Sequence, residues 1–243
     1  MKKLFLVLLM TLLVLGLTGA WAEEAEPTVY SSGDYRYVLL EDGTAEIAKY
    51  IGKDEGLVIP ETIDGHAVTS IGDSAFYYCT SLTSITLPDS VTSIGDYAFS
   101  RCTSLTSITI PDSVTSIGAS AFSSCDSLTS ITIPDSVTSI VGNPFAYCEK
   151  LTDIIVSIDH PALATIDGVL FDKAEKKLIC YPCAYTSTSY DIPQGIRIVG
   201  ASAFYNCTSL TSITVSRNSY AAQWCKDNGL SYTYADALDW LLN

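Results

Sequence analysis

Val68-Thr-Ser-Ile-Gly-Asp-Ser-Ala-Phe-Tyr-Tyr-Cys-Thr-Ser-Leu-Thr-Ser-Ile-Thr-Leu-Pro-Asp-Ser90 is one 23-residue unit; near copies start at Val91 and Val114, and a degenerate fourth starts at Val137. Self-similarity at such a period is the mark of stacked repeats. A unit this short cannot bury its own apolar side chains, so neighbouring copies must share one continuous core. Counted from Leu105, the apolar positions are Leu105, Ile108, Ile110, Val114, Ile117, Ala121, Phe122 and Cys125. The spacing Leu-x-x-Ile-x-Ile carries the period-2 alternation of a strand, with Ile108 and Ile110 inward and Ser107 and Thr109 outward. Pro88, Pro111 and Pro134 each open a Pro-Asp-Ser turn, since proline lacks the donor that a ladder needs.

Val-Thr-Ser-Ile-Gly predicts a second short extended segment. Asp96-Tyr97-Ala98-Phe99 predicts a helical or 3₁₀ turn capped by Asp96. Phe76, Phe99, Phe122, Phe145 and Phe204 share one phase of the repeat and predict a stacked aromatic ladder.

The unit Leu-Thr-Ser-Ile-Thr-Ile-Pro-Asp-Ser-Val-Thr-Ser-Ile-Gly-x-x-Ala-Phe-x-x-Cys resembles the BspA-like leucine-rich repeat of bacterial secreted and surface proteins, over about residues 35–234. The resemblance implies an α/β repeat solenoid, strand-rich: a right-handed leucine-rich-repeat superhelix with a parallel β-sheet face. It also implies a binding or adhesion role in some members. It implies no reaction, no cofactor and no fixed set of binding residues.

Residues 1–22 have a basic start at Lys2 and Lys3, an apolar run over 4–17 and small residues at Ala20 and Ala22. They predict a secretory signal cut before Glu23. The run is shorter than the ~20 residues of a membrane span, and Ala20 stands where a lipoprotein cleavage box needs Cys. With no second apolar span and no Leu-Pro-x-Thr-Gly sorting motif, the expected location is secreted or loosely cell-surface associated. Loss of Lys2 and Lys3 takes the formal net charge from −14 to −16, which argues against nucleic acid and anionic lipid as partners.

Residues 23–67 are expected to form an N-terminal cap and first partial rung, with strands over 35–40 and 44–50 joined through Asp42-Gly43. A five-residue excess falls around Ile63-Asp64-Gly65-His66. The repeats run over 68–218, with one rung, at about 158–195, enlarged by 13 residues; there 169–171 and 178–181 flank a charged 172–177 loop as a hairpin. Such an insertion marks a binding face or adjusts curvature. Residues 219–243 predict a C-terminal cap, helical over 221–227 and 235–242.

Cys79, Cys102, Cys125, Cys148 and Cys207 share a phase, and laddered side chains point the same way rather than at each other; a buried column of thiols is expected. For Cys180-Tyr-Pro-Cys183 a disulfide is favoured over redox catalysis. His66 and His160 lie in no nucleophile or metal motif and are expected in surface or loop positions. Asp89, Asp112 and Asp135 recur in every regular copy, whereas an active site needs a constellation found once. The reading is of a non-catalytic module binding an extracellular protein or polysaccharide; a carbohydrate-active protein and a structural envelope component are the alternatives.

Two surfaces are candidates for that binding. Ser84, Thr86, Ser107, Thr109, Ser130, Thr132, Ser212 and Thr214 form a near-uniform outward strand face, whose plain role is a β-favouring column. Copies differ instead between Phe and Cys, at Tyr77-Tyr78, Ser100-Arg101, Ser123-Ser124, Ala146-Tyr147 and Tyr205-Asn206. Specificity requires rungs that differ, so Tyr77, Tyr78, Arg101, Tyr147 and Tyr205 are the candidate recognition residues.

Overall fold

Residues 23 apart lie side by side. The computed structural model describes residues 27–216 and 219–234, so the secretory leader expected over 1–22 and the helix expected over 235–242 lie outside the described residues. Within it, Ser93–Ile94 pairs in parallel with Ser116–Ile117, and that strand with Ser139–Ile140, each Ile beside the Ile of the next copy. On another face of the coil Gly56–Val58, Ser84–Thr86 and Ser107–Thr109 pair in parallel, as do Ser130–Ile133 and Asp153–Val156. The chain is a strand-rich solenoid with parallel sheets. The more continuous sheet is built from the Val-Thr-Ser-Ile segments, which pair without a break from His66–Ile71 to Ser139–Ile140, whereas the strands that end at Pro88, Pro111 and Pro134 fall into separate sheets.

The period turns each side-chain type into a column with its own task. Phe76, Phe99, Phe122 and Phe145 stack with ring centroids 5.1, 5.5 and 5.7 Å apart. The thiols of Cys102, Cys125 and Cys148 are buried and donate to the carbonyls of Phe76, Phe99 and Phe122 one rung back, at 3.1, 3.3 and 3.0 Å. Burial pushes the Cys148 thiol up to about 12. Thr92 and Thr115 hydroxyls donate to the threonine carbonyl 23 residues back. Asp96 departs from its expected role: its carboxylate accepts the Ala119 N–H of the following rung at 2.6 Å, and its own N–H donates to Asp73. The turn it opens is neither α nor 3₁₀ but is built on left-handed residues. Gly118 is required by close approach, since a Cβ there would meet the Asp96 backbone nitrogen at 2.5 Å.

The ends close the stack differently. Val29–Ser32, Tyr35–Leu39 and Ala45–Tyr50 form an antiparallel meander whose last strand pairs in parallel with His66–Ile71, covering the first rung's edge. The excess near Ile63 is a tight hairpin, with Asp64 and Gly65 at φ 49° and 88°. Tyr50 continues the Phe stack, 5.4 Å from Phe76. At the other end the helix Tyr220–Asp227 is capped by Ser219, whose side chain accepts from the Ala222 N–H, and Tyr232–Tyr234 pairs with Ser212–Val215.

The enlarged rung is a septum rather than a surface flap. Leu163–Ile166, Val169–Asp172 and Lys177–Cys180 form an antiparallel meander. Leu170, Ile179 and Cys180 enter the core shared with the regular rungs, and Val169, Phe171, Leu178 and Tyr181 a second core toward the C-terminus; a bulge at Ile179, between the Leu170–Cys180 and Phe171–Leu178 pairs, lets the consecutive Ile179 and Cys180 share one side. The Phe stack is interrupted here: Phe204 packs on Tyr181 and Trp224, at 5.4 and 5.8 Å. His160, expected in a surface or loop position, lies in the loop after Asp153–Val156 but is fully buried. Its Nδ1 accepts the N–H groups of Ala162 and Leu163 at 3.1 and 3.0 Å, and its Nε2 lies 3.1 Å from the Pro134 carbonyl oxygen. The ring takes up the backbone groups left over where the chain leaves the repeat.

Phe99→Ala is expected to cost about 3–5 kcal/mol in urea unfolding. His160→Ala, which orphans buried backbone groups, is expected to cost at least about 2 kcal/mol, with His160→Asn recovering part of the loss.

Candidate recognition surface

The loop edge of the solenoid is formed by the segments between Gly and Cys of each unit. Two positions per rung are left-handed: Ser74, Tyr97, Ser120 and Ser202 at φ 55–59°, and Tyr78, Arg101, Ser124, Tyr147 and Asn206 at φ 57–65°. In the central rungs this geometry goes with backbone bonds to the following rung. Tyr78 N–H donates to the Ser100 carbonyl, Arg101 N–H to Ser123 and Ser124 N–H to Ala146, at 2.7–2.9 Å. A left-handed residue other than glycine costs roughly 1–2 kcal/mol, and here the cost falls on side chains held outward.

Those side chains converge. A shallow cleft of about 510 Å³ is lined by Tyr77, Tyr78, Tyr97, Ser100, Arg101, Thr103, Ser123, Ser124 and Tyr147. A second hollow of about 400 Å³, over Tyr50, Lys53 and Asp54, shares Tyr77 and Tyr78 with it, so the two tyrosines form the ridge between them. Tyr77 lies between two cations, the Arg101 guanidinium and the Lys49 ammonium each 5.9 Å from its ring centroid. Tyr147 meets Tyr205 at 4.6 Å between centroids, and their phenols are hydrogen-bonded, which holds the Tyr147 phenol above its usual value. Ser100, Ser123 and Ala146 are buried, so the first residue of each variable pair is floor in the central rungs and the second is rim.

The BspA type leucine rich repeat region matches the chain in six copies over residues 69–184 and 177–226. The chain belongs to the BspA-type leucine-rich repeat family. The leucine-rich repeat protein TpLRR of T. pallidum is 28% identical and superposes with a TM-score of 0.51, over 77% of this chain and 72% of that one. A leucine-rich repeat protein of Eubacterium ventriosum, 24% identical, has a TM-score of 0.56 over 77% and 65% of the two chains. The pneumococcal vaccine antigen PcpA, 21% identical, has a TM-score of 0.50 over 87% and 67%. The last two show likeness of fold alone, and no curated protein matches the sequence.

On this BspA-type scaffold Tyr77, Tyr78, Arg101 and Tyr147 share one cleft, while Tyr205 joins it through Tyr147. Tyr97 and Lys49 belong beside them and were not anticipated. The Tyr97 position also varies between copies, as Ser74, Tyr97, Ser120, Asn143 and Ser202, so the comparison that found the Phe-to-Cys pairs would have found it too. On the strand face Ser84, Thr86, Ser107, Thr109, Ser130 and Thr132 are exposed, whereas Ser212 and Thr214 are half-buried between two flanking strands. Cys180 and Cys183 are both free thiols. Among the described residues no cluster of three or more His, Cys, Asp or Glu is placed to hold a metal, and no helix is long and apolar enough to cross a membrane.

Tyr78→Gly and Arg101→Gly relieve the left-handed strain and are each expected to leave the thermal midpoint unchanged or raise stability by roughly 0.5–1 kcal/mol. Loss of stability in both variants would mean that the side chains, not the backbone, stabilise the loop edge.

Proposed function

We propose that the protein is a secreted, non-catalytic binding module that engages an extracellular protein through the aromatic and basic rim of its loop edge. The observation that carries this reading is the convergence of exposed Tyr77, Tyr78, Tyr97, Tyr147 and Arg101 on one cleft. Tyrosine and arginine are the residue types that most often dominate binding energy, one as a stiff amphipathic surface and the other as a multiple donor. Secretion rests on the basic and apolar leader in residues 1–22.

Ring orientation favours a protein over a glycan. A sugar platform calls for coplanar rings beside carboxylates; here Tyr77 and Tyr78 are inclined at 33° and Tyr147 and Tyr205 at 51°. The charged group lining the main cleft is Arg101 rather than an acid. Tilted rings around a basic group suit an irregular partner surface carrying apolar and acidic side chains.

Residues 23–243 should be presented to immobilised extracellular-matrix proteins and polysaccharides, beside the triple variant Tyr77→Ala, Tyr78→Ala, Arg101→Ala. Saturable binding to a protein, weakened at least about tenfold, or ~1.4 kcal/mol, in a variant with an unchanged melting curve, is the expected result. Binding confined to a glycan, or binding that the triple variant retains in full, overturns the proposal.

A further inference from the structure

We propose that Cys183 and Cys207 are a disulfide-forming pair that staples the enlarged rung to the last regular repeat. Their sulfur atoms lie 3.3 Å apart as thiols. Both side chains are half-buried, so a small oxidant can reach them, whereas Cys102, Cys125, Cys148, Cys180 and Cys225 are buried.

Phase is the reason that this pair differs from the column. Ladder cysteines are equivalent in adjacent rungs, point the same way, and spend their protons on the carbonyl behind them. Cys207 obeys that pattern toward Tyr181, whose carbonyl lies 3.6 Å from its sulfur as the Phe76 carbonyl lies 3.1 Å from Cys102. Tyr181 therefore holds the Phe position of its rung, and Ala184 holds the Cys position. Cys183 sits one residue early, 24 rather than 23 residues before Cys207, and approaches it diagonally. Its thiol donates to the Tyr205 carbonyl at 2.9 Å. A one-residue offset of about 3.3 Å along the strand combined with a rung spacing of about 4.8 Å gives a diagonal of about 6 Å, inside the roughly 4.4–6.8 Å range of Cα separations that disulfides bridge. Closing the sulfurs to about 2.05 Å asks only for a side-chain adjustment.

The geometry also replaces the pairing expected within Cys180-Tyr-Pro-Cys183. Cys180 is buried in the core of the regular rungs, whereas Cys183 is half-buried and lies within hydrogen-bond distance of Cys207, which packs against the second core. Cys79, the other half-buried thiol, is in phase with Cys102 and belongs to the column.

The oxidant required is a small-molecule disulfide such as oxidised glutathione. The hydrogen bond from Cys207 holds the Cys183 thiol below its usual value, which makes Cys183 the attacking sulfur. Its thiolate attacks one sulfur of the oxidant, forming a mixed disulfide and expelling the first thiolate. Cys207 then loses its proton and attacks the Cys183 sulfur, expelling the second. The protein gives up two electrons and two protons, and one oxidant disulfide becomes two thiols. The bond formed lies beside the backbone of Tyr205, so it would also fasten the loop that supports Tyr147.

The test is purified protein equilibrated with oxidised glutathione, quenched in acid, alkylated and digested without reduction, alongside Cys183→Ser and Cys180→Ser. The expected products are a mass lower by two hydrogen atoms and a peptide linking Cys183 to Cys207, present in Cys180→Ser and absent in Cys183→Ser. The thermal midpoint should fall on adding reductant to the oxidised wild type and should not respond in Cys183→Ser. Alkylation of both thiols after oxidation, a Cys180–Cys183 link, or a stable glutathione adduct on Cys183 overturns the proposal. It stands apart from the binding reading, since neither variant alters a residue lining the cleft.

Discussion

Parallel in-register pairing is the constraint from which the rest follows. Once Ile94 sits beside Ile117 and Ile85 beside Ile108, every other residue of the unit must sit beside its own copy. Like side chains are then forced together, so the unit can use only side chains that tolerate their own kind. Aromatic rings stack, threonines hand hydrogen bonds along a column, and a cysteine donates to the carbonyl behind it without needing a partner of another type. A like charge repels its copies, so it recurs only where water screens it, as at the exposed turn residues Asp89, Asp112 and Asp135, or where the backbone meets it. The Asp73 and Asp96 column is bearable because each carboxylate accepts a backbone N–H of the following rung, and the third copy drops it for Ala119.

That constraint also determines what could be read in advance. Features that repeat were legible because repetition supplies independent samples of one environment: the inward Ile pairs, the Phe stack from Phe76 to Phe145, the buried thiols of Cys102, Cys125 and Cys148 and the Pro turns stand where the sequence puts them, whereas Phe204 leaves the stack beyond the enlarged rung and Cys79 and Cys207 are only half-buried. Features that occur once were harder. His160 lies in a segment with no counterpart in the regular copies, and only the backbone groups orphaned around it explain its burial. The strand Leu163–Ile166 was overlooked although Asp167-Gly168, at φ 50° and 75°, carries a usable turn signal. The left-handed loop residues were invisible for another reason. Tyr, Arg and Ser at those positions give no local hint of positive φ, which in the central rungs goes with hydrogen bonds to the following rung.

The septum shows how the solenoid changes composition without losing its stack. Its strands Val169–Asp172 and Lys177–Cys180 bury both faces, in the manner of a central strand in a layered domain, so the enlarged rung is a partition rather than a projection. Across it, the Asn143 amide donates to the Ser202 carbonyl at 2.8 Å while its oxygen accepts the Phe145 N–H. One buried asparagine thus ties the fourth copy to the last one, and Tyr147 and Tyr205 come into contact although 58 residues separate them.

In the proposed function, the loop edge is where this scaffold meets a partner. Tyr78, Arg101 and Tyr147 occupy left-handed positions that glycine or asparagine would fill at lower cost, and at Tyr78 and Arg101 a backbone hydrogen bond to the following rung offsets part of that cost. Side chains so held lose little further freedom when a partner arrives, which favours binding by the same logic as any preorganised surface. Charge sharpens the choice of partner. A chain of formal net charge −14 repels polyanions at a distance, and that repulsion fades over a Debye length of about 8 Å in physiological salt. Lys49 and Arg101, both beside the Tyr77 ring, act within that length. An acidic group is therefore welcome at this ridge only when the rest of its carrier fits the cleft, a condition that a folded protein surface meets more readily than a uniformly charged polymer.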